Sequence, residues 1–405
     1  MTRRRPEIDV AQTDPAATDH AATDHAATDP AATDASLSVL HVAQPAEYGV
    51  VTVLESLVRD QVGRGWRVGV AGPVPIGSAR HLPWTASRAP GPAVVDEVRR
   101  LGALVRAFEP DVVHLHSSKA GLAGRLVIRG RLPTILQPHA WSFLALTGPL
   151  AAASLAWERM AVRWADTVLC CSEAERRRGV AAGIRGSWRV LPNPVDLHRI
   201  PAGSDADRQA ARSELGLGAA PLAVCVGRLS TQKGQDVLLD AWPQVRREVP
   251  AAELVLVGDG PARGALEARA PAGVCFVGRQ QSVTPWLHAA DVVVQPSRYE
   301  GLSMSVLEAM ASARSVVASD VEGMFEALGE GAGAIVPVED AVTLAREVSR
   351  RLADQSRAWR EGLVGRARAE QNHDLRNWGE AVAELTAGVR RAHAGARAVG
   401  SRRYH

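Results

Sequence analysis

The sequence lacks a long apolar run. No segment approaches the roughly 20 uninterrupted apolar residues that a membrane-spanning helix needs, so an integral membrane protein is not expected. The first residues, Met1 to Pro6, include three arginines but lead into no apolar stretch, and therefore do not predict a secretory signal. With 405 residues, 46% of them hydrophobic, the chain is long enough for two globular domains with full-sized cores.

The sequence also lacks a strong net charge. The sum of 47 Lys and Arg against 44 Asp and Glu is +3. The charge is concentrated at the ends, because residues 1–35 carry three arginines and seven acids, whereas residues 389–405 carry five arginines and no acid. A nearly neutral body does not predict a nucleic-acid-binding protein, although it leaves room for a local basic patch that binds phosphate or anionic lipid.

Cysteine is scarce. The four cysteines, Cys170, Cys171, Cys225 and Cys275, form no CxxC pair, and no histidine lies near them at the spacing of a zinc finger. Because they lie in short apolar runs, we expect reduced thiols on buried strands. This use of cysteine favours a cytoplasmic location.

The first 35 residues lack the side chains that build a core. Residues 14–34 repeat a unit of Ala-Ala-Thr-Asp with His or Pro and contain no Leu, Ile, Val or aromatic residue. Such a segment cannot bury enough surface to offset the entropy of ordering, so residues 1–35 are predicted to be disordered. His20 and His25 are interpreted as part of a solvated spacer rather than a metal site.

From Ser36 onwards, short apolar runs alternate with helical patterns, which is typical of a doubly wound parallel sheet. The alternation restarts after a small and polar stretch at residues 202–212, which we interpret as a linker. The sequence therefore predicts an α/β protein with two Rossmann-like domains facing across a cleft. The predicted strands are 36–43, 66–71, 112–115, 134–137, 167–171, 189–191, 222–226, 253–257, 273–277, 292–295 and 315–318.

We expect the chain to divide into a tail, two domains, a returning helix and a second tail. The disordered segment covers residues 1–35. The remaining boundaries are a first Rossmann-like domain at 36–205, a second Rossmann-like domain at 206–375, a helix at 376–390 that packs on the first domain, and a basic flexible tail at 391–405.

A basic loop follows the predicted strand 222–226. It runs from Gly227 to Gly234 and places Arg228 and Lys233 five residues apart. Arginine offers a planar fork and lysine a point charge, so together they suit a diphosphate. The alternative from the residues alone is an ordinary solvated basic loop.

Two glutamates flank a predicted helix start. Gly301 to Ser303 lie where the helix should begin, and free N–H groups at a helix N-terminus attract anions. Glu300 precedes this start, and Glu308 lies inside the helix among apolar residues, where a carboxylate needs a partner such as a sugar hydroxyl. The alternative is that Glu300 only complements the helix dipole and Glu308 forms a salt bridge.

These motifs resemble those of the retaining, nucleotide-sugar-dependent glycosyltransferases of family 4. The similarity covers roughly residues 36–388. It rests on four segments in the family's order, namely Pro192–Asp196, Gly227–Gly234, Glu300–Glu308 and Gly323–Glu326. The family implies the GT-B architecture of two Rossmann-like domains.

The resemblance also implies roles for single residues. Arg228 and Lys233 would hold the donor diphosphate, and Glu300 would bind the donor sugar near the reacting carbon. Glu308 would bind the ribose. The remaining implied contacts are the amides of Gly301, Leu302 and Ser303 with the sugar and β-phosphate, Gly278 and Arg279 beside the nucleobase, Gly49 beside the diphosphate, and His139 with the donor sugar and phosphate. From its sequence position alone, His139 could equally be structural.

The sequence departs from the family at three positions. A single glycine, Gly49, follows Tyr48 where two adjacent glycines are common. Pro194 replaces the usual glycine after Asn193, and proline cannot adopt a positive φ. Ala313 stands where a helix-ending glycine is common, which costs about 1 kcal/mol if the backbone is left-handed.

The function that the resemblance implies is transfer of a sugar from a nucleotide diphosphate sugar to an acceptor hydroxyl, with retention of configuration. The acceptor would be a glycan, a lipid-linked glycan or a small molecule, with Glu300 and His139 at the reaction centre. Cations on side chains and helix amides are expected to take the place of a metal in stabilising the leaving diphosphate, so we expect no metal and no cofactor. Arg176 to Arg178, with Arg185, Trp188 and Arg189, could approach anionic lipid at the membrane's inner face, or form a solvated helix face.

Three alternatives stay open at this point. A sugar-nucleotide epimerase or a phosphorylase could use the same architecture, and a non-catalytic scaffold could bind sugar nucleotides. A phosphorylase needs no nucleotide, so release of free nucleoside diphosphate separates it from a transferase. Turnover with a panel of donors separates an enzyme from a scaffold.

Overall fold

The computed structural model of the protein describes residues 36–44, 49–87 and 91–401. The predicted disorder of residues 1–35, with His20 and His25, lies outside these ranges, as does Tyr48. Those predictions therefore stay predictions.

The first half folds into a parallel sheet because its strands are apolar on both faces. Every side chain of the two central strands, which begin at Ser38 and Val112, is buried. The seven strands in the described ranges are Ser38–Ala43 (β1), Arg67–Gly72 (β2), Arg80–Pro83 (β3), Val112–His116 (β4), Thr134–Gln137 (β5), Thr167–Cys170 (β6) and Trp188–Val190 (β7). They lie in the order β3-β2-β1-β4-β5-β6-β7. The accompanying helices are Gly49–Gly63 (α1), Val94–Phe108 (α2), Ser117–Ile128 (α3), Gly148–Ala161 (α4) and Glu173–Ala181 (α5).

The second half builds another parallel sheet. Its strands are Leu222–Val226 (β8), Glu253–Val257 (β9), Val274–Gly278 (β10), Val292–Gln295 (β11), Ser315–Ser319 (β12) and Gly333–Val336 (β13), in the order β10-β9-β8-β11-β12-β13. Its helices are Asp205–Glu214 (α6), Gln235–Glu248 (α7), Arg263–Ala268 (α8), Thr284–Ala289 (α9), Met304–Ala311 (α10), Met324–Leu328 (α11), Ala341–Ala353 (α12), Gln355–Asn372 (α13) and Leu375–Ser401 (α14). The predicted fold class of two doubly wound α/β sheets is confirmed.

The two halves share apolar packing. Val53 and Leu57 of α1 belong to the same buried cluster as Leu302 and Met304 of the second half. The last helix, α14, packs back on the first sheet, where Val389 joins a buried cluster of strand residues. This helix continues through residues 391–401, part of the stretch that we predicted to be a flexible basic tail.

Two further predictions are wrong. The predicted linker at 202–212 contains α6, which begins with a reciprocal cap between Ser204 and Asp207, and whose buried Arg212 pairs with Asp291 at 2.8 Å. Cys275 is exposed, whereas Cys170, Cys171 and Cys225 are buried as predicted. Cys275 is exposed because β10 is an edge strand.

The strand order places a crevice in each sheet. The order reverses between β1 and β4 in the first sheet and between β8 and β11 in the second. Ligands of open α/β sheets bind beyond the carboxyl ends of the strands at such a reversal. The loops after these four strands are therefore expected to carry a ligand-binding site.

Candidate functional site

The loops that follow β8 and β11 are packed backbone against backbone. Gly234, at the end of the basic loop, has φ 64°, and a Cβ at this position would lie 1.9 Å from the carbonyl oxygen of Pro296. Only glycine combines this conformation with this approach. The residue therefore fixes the basic loop beside the segment that leads to Glu300.

Lys233 and Glu300 meet where these loops touch. The Nζ atom of Lys233 lies 2.5 Å from Oε1 of Glu300, and the side chains are only 17% and 8% exposed. Ser297 donates its hydroxyl to the same carboxylate oxygen at 2.7 Å. The two predicted site residues are thus direct partners. Because an ammonium group has three donors, Lys233 can keep Glu300 and still bind a phosphate oxygen.

A residue that the sequence analysis missed shapes the basic loop. Gln235 is buried, its Nε2 donates to the carbonyl of Arg228 at 3.0 Å, and its Oε1 accepts from the N–H of Ser230 at 3.3 Å. One amide side chain therefore replaces the backbone partners that a loop between strand and helix lacks. The only signal in the sequence is its position directly after Gly234.

Arg228 lies beside the turn that follows β9. A Cβ at Gly260 would lie 3.0 Å from Cγ of Arg228 and 2.3 Å from the carbonyl oxygen of Leu229. Leu229 also donates its N–H to the carbonyl of Asp259 at 3.0 Å. The close packing places the stem of Arg228 at the same carboxyl edge of the sheet as Lys233.

The start of α10 presents unpaired backbone donors. Across the described parts of the chain, the N–H groups of Gly301, Leu302 and Ser303 have no hydrogen-bond acceptor. Ser303 is the N-cap residue but makes no side-chain cap bond. This geometry matches the predicted anion-binding helix terminus.

Glu308 lies one turn into α10 and is largely buried. Burial raises the pKa of the Glu308 carboxyl to about 7, and the nearby positive charge of Lys233 limits that rise. Its carboxylate has no hydrogen-bond partner among the described residues. The salt bridge that we considered as an alternative role for Glu308 is therefore not formed.

Two residues of the first half reach the second half. A Cβ at Gly301 would lie 2.7 Å from the carbonyl oxygen of His139, and a Cβ at Gly49 would lie 3.0 Å from Cγ of Met304. His139 follows β5 with φ 57°, an uncommon value for histidine that turns the chain towards Gly301. The structure therefore brings His139 and Gly49 to the start of α10, as the donor-site prediction requires.

Polar contacts also join the halves around this point. Ser172 donates its hydroxyl to the carbonyl of Gly301 at 3.2 Å, and Nδ2 of Asn193 donates to the carbonyl of Leu302 at 3.1 Å. Glu326 accepts the N–H groups of Glu173 and Ala174, each at 2.6 Å, and so caps α5 from across the cleft. The motif segments Pro192–Asp196 and Gly323–Glu326, to which no ligand contact was assigned, thus hold the two halves together.

Gly278 and Arg279 follow β10 at the same edge of the second sheet. Gly258 donates its N–H to the carbonyl of Gly278 at 2.9 Å, which ties this segment to the end of β9. The segment is therefore two strands away from the basic loop, on the side opposite to β11.

The basic surface of α5 is compensated by acids. Arg176 pairs with Glu173, and Arg178 pairs with Glu322 at 2.6 Å. Trp188 packs edge-on against Trp141, with ring centroids 6.1 Å apart. These contacts match the solvated helix face that was the alternative to lipid contact.

An Asp-x-Asp sequence exists outside the site, at Asp205 to Asp207. Asp207 accepts from the backbone N–H of Ser204 at 2.8 Å, and Asp205 is an exposed neighbour of Arg208. The pair therefore belongs to the start of α6. Among helices of the described ranges, none is both long and apolar enough to cross a membrane.

Two family profiles match the two halves of the chain. The profile described as "Glycosyltransferase Family 4" matches residues 48–199, and the one described as "Glycosyl transferases group 1" matches residues 220–354.

The chain is also similar to curated mannosyltransferases. It is 36% identical, over 56% of its length and 64% of the relative's, to the GDP-mannose-dependent alpha-(1-6)-phosphatidylinositol monomannoside mannosyltransferase of Mycolicibacterium smegmatis. It is 33% identical to the enzyme of the same name from Mycobacterium tuberculosis, over 68% of this chain and 75% of that enzyme. In the first of these matches, the chain spans less than two thirds of the relative.

Solved structures share the fold. Anabaena HepE in complex with UDP-glucose superposes with a TM-score of 0.75 at 22% identity, covering 86% of this chain and 99% of that chain. Sucrose-phosphate synthase from Thermosynechococcus elongatus gives a TM-score of 0.75 at 22% identity, covering 86% of this chain and 97% of that chain.

Proposed function

The chain belongs to the family 4 glycosyltransferases, and from this premise we propose that it transfers a sugar from a nucleotide diphosphate sugar to an acceptor hydroxyl with retention of configuration. The observation that supports the proposal most directly is the pairing of Lys233 with Glu300 at the start of α10, beside His139. A cation, unpaired helix amides and a sugar-binding carboxylate are the groups that such a donor needs. They lie at the strand-order reversal where ligands of this fold bind.

In this proposal, Arg228 and Lys233 hold the diphosphate, together with the amides of Gly301 to Ser303. Negative charge accumulates on the diphosphate as the bond to the sugar breaks. Cations and helix amides aimed at that charge stabilise the transition state more than the bound donor. These groups take the part that a metal plays in other transferases, so we propose a reaction without metal.

Glu300 and His139 bind the sugar near the reacting carbon. The family's retaining reaction has the acceptor attack on the face that the diphosphate leaves, and the leaving phosphate takes the acceptor's proton. Glu300 is suited to holding sugar hydroxyls because Ser297 and Lys233 already fix the position of its carboxylate. Closure of the two halves would exclude water.

Glu308 binds the ribose, and Gly278 with Arg279 borders the base. With a pKa raised by burial to about 7, the carboxyl group of Glu308 is partly protonated at neutral pH and can both donate to and accept from vicinal hydroxyls. Gly49 gives the diphosphate close access to the backbone at the start of α1.

We propose GDP-mannose as the first donor to test, because two relatives are named as GDP-mannose-dependent. UDP-glucose is the second, since HepE was solved with it. The acceptor hydroxyl belongs to a glycan or a lipid-linked glycan, as the named relatives act on a phosphatidylinositol mannoside. The cytoplasmic location stays a prediction from the sequence.

The test is a panel of GDP-, UDP- and ADP-sugars, with chromatographic detection of free nucleoside diphosphate in the presence of mixed glycan acceptors. We expect release from one donor class, increased by an acceptor and unaffected by inorganic phosphate. Conversion of the donor sugar without release would indicate an epimerase. Turnover that requires phosphate but no nucleotide would indicate a phosphorylase, and binding without turnover would indicate a scaffold.

A further inference from the structure

Three histidines of the first half form a continuous hydrogen-bonded chain that ends on His139. Nε2 of His41 lies 2.8 Å from Oε1 of Gln61, and Nδ1 of His41 lies 3.0 Å from Nε2 of His116. Nδ1 of His116 lies 3.2 Å from Nε2 of His139. The chain therefore runs from helix α1, through β1 and the end of β4, to the residue that touches Gly301.

This chain is buried and neutral. Gln61, His41 and His116 have no exposed surface. Burial lowers the pKa of His41 and of His139 to about 4, and lowers the pKa of His116 well below its ordinary value. All three imidazoles are therefore uncharged at pH 7. A neutral imidazole has one donor nitrogen and one acceptor nitrogen, so every bond in the chain must point in the same direction.

The amide of Gln61 sets that direction. Its oxygen faces His41, so His41 carries its proton on Nε2 and accepts from His116 at Nδ1. His116 then carries its proton on Nε2 and accepts at Nδ1 from Nε2 of His139. Reversing any single proton would place two donors or two acceptors face to face in a buried site, where an unsatisfied polar group is destabilising.

We propose that Gln61 is a positioning residue that acts through His41 and His116 to hold His139 in the Nε2–H tautomer, leaving Nδ1 as an acceptor for a hydroxyl of the donor sugar. The role of Nδ1 as an acceptor rests on the proposed function, because it assumes that a donor sugar binds beside Gly301. With Nδ1 unprotonated, His139 accepts from a hydroxyl and does not donate to the phosphate. Of the two contacts that the resemblance implies for His139, with the donor sugar and with the phosphate, this tautomer favours the one with the sugar.

A fourth histidine, His114, completes a cluster that has the spacing of a metal site. His114 stacks on His116 with ring centroids 4.1 Å apart, and the nitrogens of His41, His114 and His116 lie within 4.8 Å of one another, as in a metal site. However, Nδ1 of His41 and Nε2 of His116 bond to each other, so a metal would have to break the chain. Among the described residues, both ring nitrogens of His114 are buried and have no hydrogen-bond partner of standard geometry, and the ring stacks beside the chain of histidines.

The first experiment reads the protons in the wild-type chain, without any assay of activity. Histidine labelled with ¹⁵N distinguishes protonated from unprotonated ring nitrogens by chemical shift, and single His→Asn variants assign the signals. We expect His41, His116 and His139 to be neutral Nε2–H tautomers between pH 6 and 8. An Nδ1–H tautomer at His139, mixed tautomers, a charged ring, or a stoichiometric metal in elemental analysis would overturn the proposal.

The second experiment replaces Gln61 with methionine, which has a similar length and volume but no strong acceptor. If Gln61 acts through His41 and His116, His139 should shift towards the Nδ1–H tautomer. The kcat/KM should then fall by about two- to tenfold, because the required tautomer is depopulated. A role in packing alone predicts an unchanged spectrum of His139. Gln244→Met, at a partly exposed glutamine of α7 whose side chain donates to Glu248, is the matched control.

The outcomes separate this proposal from the proposed function. If no donor in the panel releases nucleoside diphosphate, the histidine spectra still decide whether the chain of protons exists. If transfer is observed but Gln61→Met leaves the tautomer of His139 unchanged, the relay is wrong and the transferase stands.

Discussion

Replacing Lys233 with alanine should lower kcat/KM for the nucleotide-sugar donor by about 30- to 1000-fold while the chain stays folded. The substitution removes an ammonium group that is 17% exposed and lies 2.5 Å from Glu300. It leaves the fold's buried strands untouched. The effect should therefore appear in the chemistry rather than in the architecture.

The magnitude follows from what Lys233 contacts. A charge-assisted contact to a leaving diphosphate contributes about 2–4 kcal/mol in the transition state, which converts to the stated range of rates. The loss of Lys233 also leaves the largely buried carboxylate of Glu300 with the Ser297 hydroxyl as its remaining hydrogen-bond partner among the described residues. We expect that unpaired charge to reduce the free energy of unfolding by about 1–3 kcal/mol.

The assay is steady-state release of nucleoside diphosphate, with circular dichroism and urea unfolding to confirm the fold. Arg228→Ala should fall within the same range, and Lys233→Arg should recover only part of the rate because a planar fork replaces a point charge. Arg269→Ala is the matched control, since it removes a cation that pairs with Asp240 on the surface of the same half.

A double variant separates the two effects of the substitution. Adding Glu300→Gln to Lys233→Ala removes the unpaired charge and should restore part of the lost stability, but not the lost turnover. Near wild-type turnover in a folded Lys233→Ala variant would refute the diphosphate assignment. Recovery of turnover in the double variant would show that Lys233 acts only by neutralising Glu300.

Four further predictions concern the same site. Glu300→Gln should lower kcat more than it weakens donor binding, whereas Glu308→Gln should mainly weaken donor binding; equal small effects on both parameters would contradict these assignments. Folding raises the pKa of the Glu308 carboxyl to about 7, so the folded chain loses stability as the pH rises from the pKa of the unfolded chain through 7. Glu308→Gln should therefore be more stable than wild type at pH 8 but not at pH 4.5, as measured by urea titration. Gly234→Ala would push a Cβ into the carbonyl of Pro296 and should lower the free energy of unfolding by more than about 2 kcal/mol in the same titrations. Transfer by the wild-type chain should persist in excess EDTA.

Much of the sheet architecture could be predicted from the sequence, since central parallel strands are continuous apolar runs. Strands β8, β9 and β11 begin and end at the predicted residues. The missed strands, β3 and β13, are short edge strands with only one buried residue each, so they lack that signal. The helix α6 was missed because its small polar residues resemble a linker, although the Ser204 and Asp207 cap was readable.

The site divides in the same way. Charged and glycine-rich loops after strands carry a signal along the chain, so Arg228, Lys233 and Glu300 could be predicted as site residues from their spacing and from the family resemblance. Ala313 was predicted to cost energy if left-handed, and its φ is 55°. Gln61 and Gln235 could not be found, because a single buried amide has no pattern along the chain and its hydrogen-bond partners are set only by tertiary packing.

The two halves contribute differently charged groups to the proposed donor site, so we expect them to bind different parts of the donor. In the proposed function, the second half contributes Lys233 and the amides at the start of α10, which would attract the negative diphosphate. The first half contributes His139 at the end of a chain whose imidazoles are kept neutral by burial. A charged imidazole there would compete with Lys233 for the phosphate, whereas a neutral acceptor favours a sugar hydroxyl. In the proposed donor site, the burial of three histidines would therefore orient the donor, with its phosphate towards the second half and its sugar towards the first, as much as the basic loop would.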